Sequence, residues 1–444
     1  MNRAIILAAF GIAAAVPQYA NDVRHLTLTE AVHLAITQNR TLKIARLKTA
    51  ENEQKKAQEH ASYFPSLKNE SNILHITDLQ NVGIPAGTFG TVGASLVPGE
   101  NVILPQGQKT WYSSYTQLSQ PLTQLIRIRD ANRIAAADVA ISRDDLKKAE
   151  NEIALQVHSL YYGILIAKFQ KQAAQQQTQY ADENLRETED DVRNGSALKV
   201  AAIQGQATVL EGRQSVLTAD LQLSDLTTEL NDLLGLPLDT KLELDPAVPV
   251  DFEQHSREEY VQTAWSQNPQ IKAAEAAVEK AQAAVGSART TYIPDVTAYA
   301  RQSYDDGVPF VARNFGTFGV NMSWDVFDFG KRRAAVRERQ DQLAEAEENL
   351  RRLKEEVAVS IERSYNKVQR SKSLVDVATQ VVKLRQESER VSQNQLAQGA
   401  VMIADRRKAS AETYKAQADF LQANLGYLLA WAELQESAGI TPGF

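Results

Sequence analysis

Residues 317–339 read TFGVNMSWDVFDFGKRRAAVRER, and the period changes halfway along. Phe318, Val320, Met322, Trp324 and Val326 alternate with Thr317, Gly319, Asn321, Ser323 and Asp325, which predicts a strand over 317–327 with one apolar face. At Asp328-Phe329-Gly330 the alternation stops, and Lys331-Arg332-Arg333 opens a charged helical stretch. Gly330 suits a sharp change of backbone direction, because it adopts conformations that other residues resist. A kinase reading of Asp-Phe-Gly would need a glycine-rich phosphate loop, a strand lysine and an His-Arg-Asp sequence before it. His-Arg-Asp is absent from the chain.

The remaining composition narrows the class. The chain has 444 residues, net charge -7 and no cysteine, with Lys and Arg scattered among Asp and Glu. That scatter is the pattern of solvated helix faces rather than the clustered basic excess of a nucleic-acid binder. The six histidines show no HExxH or other ligand spacing, so neither metal nor cofactor is expected, and no enzyme motif emerges. Residues 1–20 pair a positive Arg3 with an apolar run from Ala4 to Val16 and small residues beyond it, the pattern of a secretory signal peptide. No later run approaches the ~18 apolar residues of a spanning helix.

An internal duplication organises everything after that. EAVHLAITQNRTLKIA, Glu30 to Ala45, matches EYVQTAWSQNPQIKAA, Glu259 to Ala274, at an offset of 229. Further along, Ser119 and Ser323, Tyr161 and Tyr365, Gly195 and Gly399, and Gly235 and Gly439 correspond at an offset of 204. The first repeat is expected over 21–234, with strand, loop and strand at 66–122 and a long helical hairpin at 123–234. A connector follows at 235–255, and the second repeat occupies 256–444, with strands and loop at 295–327, a hairpin at 328–437 and a short tail. In the first hairpin Val139, Leu146, Ala149, Ile153, Val157, Leu160, Ile164 and Ala167 recur at helical steps, and Leu343, Ala346, Leu350, Leu353, Val357, Ile361 and Val368 do so in the second. Gly195 and Gly399 mark the helical tip turns. Between the first two strands, NVGIPAGTFGTVGASLVPGENVILPQG carries almost no charge and reads as a long exposed loop. Its glycines lack the Lys-Ser/Thr of a phosphate cradle.

Four strands constrain the solvent argument. A sheet in hydrocarbon must close on itself, and membrane barrels begin at about eight strands. If these strands span a membrane, several copies of the chain must pool them. Trp111 and Trp324, both in returning strands, suit an interfacial aromatic belt. On this reading Phe318, Val320, Met322, Trp324 and Val326 face lipid. A secreted coiled-coil scaffold or a periplasmic adaptor also accounts for the long helices, but not for the alternating segments.

The repeated openings LTLTEAVHLAITQNRTL and REEYVQTAWSQNPQI, the strand entries YFPSL and YIPDV, SQPL and SWDVFDFG before the long helices, and the tips NGSALKV and QGAVMIAD together resemble the TolC-like outer-membrane efflux proteins. The resemblance implies a mainly α fold with a small β part: long helical hairpins forming a periplasmic α-barrel, and a twelve-stranded outer-membrane β-barrel pooled by a homotrimer. It implies a passive exit duct for efflux or type I secretion, working with a periplasmic adaptor and an inner-membrane pump of proton-driven or ABC type. Some members carry an Asp six residues beyond each tip glycine and an Arg shortly after the second. Here Asp405 stands six after Gly399, but Ala201 occupies the position after Gly195 and Val401 replaces the Arg. The expected periplasmic entrance residues are therefore Asp405, with Lys408 three residues on.

Overall fold

The computed structural model describes residues 23–104, 107–246, 255–308 and 311–442; the expected signal peptide lies outside them. The chain begins with β1 (Arg24–Leu26), α1 (Leu28–Gln38), α2 (Arg40–Ala61) and β2 (Ser66–His75). Four short strands follow, β3 (Val82–Ile84), β4 (Thr91–Val92), β5 (Ser95–Leu96) and β6 (Val102–Leu104), then β7 (Thr110–Pro121). Two long helices, α3 (Leu125–Arg193) and α4 (Lys199–Leu234), follow, and then β8 (Leu242–Leu244). The second repeat runs α5 (Arg257–Gln267), α6 (Pro269–Thr290), β9 (Asp295–Asp306), β10 (Asn314–Ser323), α7 (Lys331–Ala397) and α8 (Ile403–Ser437). The chain is mainly α with a small β part. By contacts it forms two compact units, and each draws on both repeats.

The first unit comprises residues 23–45, 146–269 and 355–442 among those described. Its core gathers Ala31, Val32 and Ala35 of α1, Leu42 of α2, Val157, Tyr161 and Leu165 of α3, Leu230 and Leu234 of α4, and Leu425 and Leu428 of α8. The helical steps of α3 explain its share: Ile153, Val157, Ile164 and Ala167 are buried, with Leu146, Ala149 and Leu160 packed beside them. In α7 the buried apolar positions are Val357, Ile361 and Val368, with Ser364 buried among them.

The duplication is visible here as repeated hydrogen bonds. Thr27 caps α1 by exchanging bonds with Glu30, and Ser256 caps α5 by exchanging bonds with Glu259, 229 residues later. Asn39, 8 % exposed, donates to Leu233 O at 3.1 Å while its Oδ1 accepts the N–H groups of Thr41 and Leu42. Asn268, 5 % exposed, donates to Ser437 O at 3.1 Å. Donors 229 apart thus reach acceptors 204 apart, so the two offsets meet in one recurring clasp. Gly235 (φ 70°) and Gly439 (φ 81°) end α4 and follow α8 in the left-handed conformation that spares a helix end its unpaired carbonyls.

The second unit comprises residues 46–145 and 270–354 among those described, and contains one antiparallel sheet in the order β10-β9-β7-β2. Sequence reasoning expected two strands in each repeat but misjudged the ends of the last one. β2 covers Ser66–His75, and β10 runs Asn314–Ser323 rather than 317–327, so Trp324 and Val326 leave the ladder instead of extending it. Ser323 pairs with Asp295, the first residue of β9, and Pro294 before it has no N–H to continue the pairing. The long loop also contains pairing: β3 with β6, and β4 with β5.

Candidate functional site: a two-faced sheet, its joint and the helical tips

Pairing register assigns the two faces of the sheet. Phe318, Ala300, Leu118 and Leu67 form one cross-strand row, and Phe318 is 89 % exposed. Val320 and Met322 continue this apolar face, also exposed. The neighbouring row, Thr317, Arg301, Gln117 and Lys68, points the other way and is polar. There Arg301 donates to Gln117 Oε1 from Nε at 2.9 Å and from Nη2 at 2.6 Å, and its guanidinium lies 5.0 Å over the Tyr115 ring. Tyr115 OH donates to Glu70, which also pairs with Lys68. A cluster of two cations and one carboxylate on one face of a sheet, opposite an apolar face, is what a wall between lipid and an aqueous passage requires.

Sequence reasoning named the apolar residues and missed the charged ones. The signal was present: Lys68 and Glu70 share a parity in β2, and Arg301 interrupts DVTAYARQSYDD opposite the face that carries Ala300.

The strand-to-helix joint after β10 is built by Asp328. Its Oδ1 accepts the Gly330 N–H at 3.1 Å, and its Oδ2 accepts the Arg332 N–H at 3.0 Å and Nε–H at 2.7 Å. The Arg332 backbone bond, with help from its guanidinium and from Gly330, holds the Asp328 carboxyl below the usual carboxylate range. Both Phe329 (φ 52°) and Gly330 (φ 91°) are left-handed, so the reversal uses two residues rather than Gly330 alone. In the first repeat Thr123 does the corresponding work: its Oγ1 accepts the Val296 N–H at 2.8 Å and donates to Pro294 O at 2.7 Å.

At the tips, Gly195 (φ 74°) and Gly399 (φ 71°) close the same motif. Ser196 N donates to Asp191 O at 2.9 Å, and Ala400 N donates to Gln395 O at 2.9 Å. Asp405 sits in the first turn of α8 and accepts the Met402 N–H at 3.3 Å. Among the described residues no ion pair joins it to Lys408, and the run Arg406-Arg407-Lys408 outnumbers it in charge.

A sheet with one apolar and one charged face, attached to two helical hairpins, defines an outer-membrane channel subunit. The chain belongs to the outer membrane efflux protein family, whose model matches residues 31–236 and 260–440. The starts of those segments lie 229 apart and their ends 204 apart, the two offsets of the duplication. It is similar to the alkaline protease secretion protein AprF of Pseudomonas aeruginosa, 23% identical over 347 residues that cover 74% of this chain and 70% of that protein. Its fold matches the CmeC outer membrane channel of Campylobacter jejuni with TM-score 0.74 at 16% identity, covering 93% of this chain and 85% of that one. It matches the outer membrane protein VceC of Vibrio cholerae with TM-score 0.72 at 14% identity, covering 93% and 96%. Family members and structural neighbours are channels, and the protein is an outer-membrane channel component of efflux or secretion.

Proposed function

We propose that three copies of this chain close into one duct that carries small molecules or secreted proteins out of the cell, with an adaptor and a proton-driven or ABC-type inner-membrane pump supplying the drive. The observation that carries this reading is the pair of open edges, β2 and β10, on a sheet with one apolar face. Unpaired backbone groups in hydrocarbon cost several kcal/mol each, on the order of the whole margin of folding, so these edges must meet those of other copies. Exposed heptad stripes on α4 (Ile203, Leu210, Leu217) and on α7 (Leu374, Val377, Val381, Leu384) support the same assembly, since each is a seam without a partner in one chain. The repeat boundaries, 21–234 and 256–444 around a connector at 235–255, belong to this proposal, as does the lipid-facing role of Phe318, Val320 and Met322.

The absence of cysteine gives a clean test. Within one chain β2 and β10 are separated by two strands, roughly 14 Å, beyond disulfide reach. Single cysteines placed in β2 and β10 and scanned over register should yield a disulfide-linked trimer in the outer-membrane fraction. Monomers at every register would end the reading.

The entrance forms part of the proposal. Asp405 contributes its charge to the periplasmic constriction, modified by Lys408. Asp405→Ala should change single-channel conductance at low salt and lose that difference at high salt. Equal conductance and ion preference at every salt concentration would leave Asp405 as a helix cap only.

A further inference from the structure

We propose that the basic side chains at the head of α7 dock the phosphate headgroups of phospholipids in the periplasmic leaflet of the outer membrane, an inference that rests on the membrane placement of the sheet. The apolar face of β10 continues without interruption into the segment after it. Trp324 is 49 % exposed and Phe329 93 %, and the rings of Phe327 and Phe329 stack edge to face at 4.6 Å. Such an aromatic step is the chemistry of the headgroup boundary.

Immediately below it the charge changes. Lys331, Arg333 and Arg337 are exposed, and among the described residues they form no ion pair. Arg332 differs, being held by Asp328 at 2.7 Å and lying 5.2 Å over the Tyr292 ring. From residue 331 to 337 the helix descends about 9 Å, while the headgroup layer of one leaflet is roughly 5–7 Å deep. The free cations thus cover the depth at which phosphates lie.

The duplication makes the placement informative. Arg127, Arg129 and Arg133 stand 204 residues before Lys331, Arg333 and Arg337, so all three positions are basic in both repeats. In the first repeat carboxylates answer them: Arg127 meets Asp295 at 3.7 Å, and Arg129 and Arg133 meet Asp130 at 3.4 and 4.0 Å. In the second, the position corresponding to Asp130 is Ala334, and the cations are left for an outside anion. A recess of about 330 Å³ beside Trp324, Ile293 and Lys331 opens at this level. Asp295, Asp325 and Asp328 line it too, with Arg127 and Arg332 engaging the first and last, so within the recess Lys331 stands opposite Asp325, while Arg333 and Arg337 lie further along the exposed helix face. Charge complementarity and continuity with the lipid-facing stripe both select a phospholipid surface as the occupant.

The test uses the full chain with Trp111, Trp265 and Trp431 changed to Phe, so that Trp324 is the sole emitter. It is reconstituted in phosphatidylethanolamine vesicles that carry dibrominated phosphatidylglycerol or dibrominated phosphatidylcholine. Phosphatidylglycerol should quench at about threefold lower mole fraction than phosphatidylcholine. That ratio should fall to about one in K331Q/R333Q/R337Q and in the parent at high salt. Equal quenching by the two lipids in the parent overturns the proposal, as does an unchanged ratio in the triple variant, which would assign these cations to carboxylates of a neighbouring copy. Absence of quenching by either lipid overturns the membrane placement itself. Should the three-Phe background fail to assemble, native mass spectrometry of the unaltered chain from mixed micelles reads the same preference as phosphatidylglycerol retained.

Discussion

The asparagine clasps and the strand-to-helix joints are both duplicated, yet only the clasps kept their residues. Asn39 and Asn268 make the same bond to the end of a long helix, whereas one joint relies on Thr123 and the other on Asp328 with two left-handed residues. Burial accounts for the difference. An amide enclosed between helix ends has few isosteric replacements that satisfy the same carbonyl, and leaving that carbonyl bare costs about 1–3 kcal/mol. A half-buried joint keeps some access to water, so different side chains serve there.

The strongest challenge to that contrast lies in the glycines beside the clasps. A Cβ on Gly439 would meet the Asn268 backbone, with its nitrogen at 2.7 Å, whereas on Gly235 its nearest neighbours are Gln38 atoms at 3.4 Å. Gly439→Ala should cost about 3–5 kcal/mol from the clash added to left-handed strain, and Gly235→Ala only about 1–2. Thermal melting of the assembled protein separates them; equal losses would mean that the two clasps are equally roomy.

A second contrast runs along β10. Phe318→Arg, within the ladder, should cost up to about 4 kcal/mol if it lies near the bilayer mid-plane, and Trp324→Arg, beyond the ladder, about 0–1. Yield of heat-modifiable oligomer reads both, and a Trp324→Arg defect as severe as that of Phe318→Arg would return Trp324 to the hydrocarbon.

Position 158 and its counterpart 362 differ as well. His158 is fully buried against Tyr162, and burial pushes its pKa down to about 4, outweighing the Pro442 backbone, which favours the charged ring. Glu362 is solvated and pairs with Arg257 at 2.8 Å. Because burial holds the folded pKa of His158 below its unfolded value, the unfolded chain binds the extra proton first. Stability should fall as pH drops from about 6.5 towards 4, by about 3 kcal/mol per chain in all. His158→Gln should flatten that part of the melting-temperature profile; an unchanged profile would place the acid sensitivity elsewhere.

The smallest effects belong to the joints. Thr123→Val removes a donor and an acceptor and should cost about 1–2 kcal/mol. Gly330→Ala, left-handed but with open space around it, should cost about 1. A larger loss for Gly330→Ala would show that the second joint is the stiffer one.

Much of the architecture was legible because it was written twice. Gly195 and Gly399 marked the tips, while Glu30 and Glu259, and Gly235 and Gly439, marked the duplication whose caps and helix ends only the geometry identifies. The parallel pair β1–β8 was not legible: three residues, Arg24–Leu26, against three, Leu242–Leu244, are too few to show a period. Strand ends were misread because an apolar alternation can outlast its hydrogen bonds, as at Trp324 and Val326. The Arg301 cluster was missed because its members come from three strands and only register brings them together.

The open edges of β2 and β10 also have a genetic consequence. In the proposed trimer each chain offers one edge to each neighbour, so a copy with a damaged edge spoils the ring it enters rather than merely failing to contribute. With equal expression of sound and damaged copies in a trimer, only about one ring in eight is wholly sound. Edge lesions should therefore be dominant, whereas lesions that keep the chain from folding at all should be recessive.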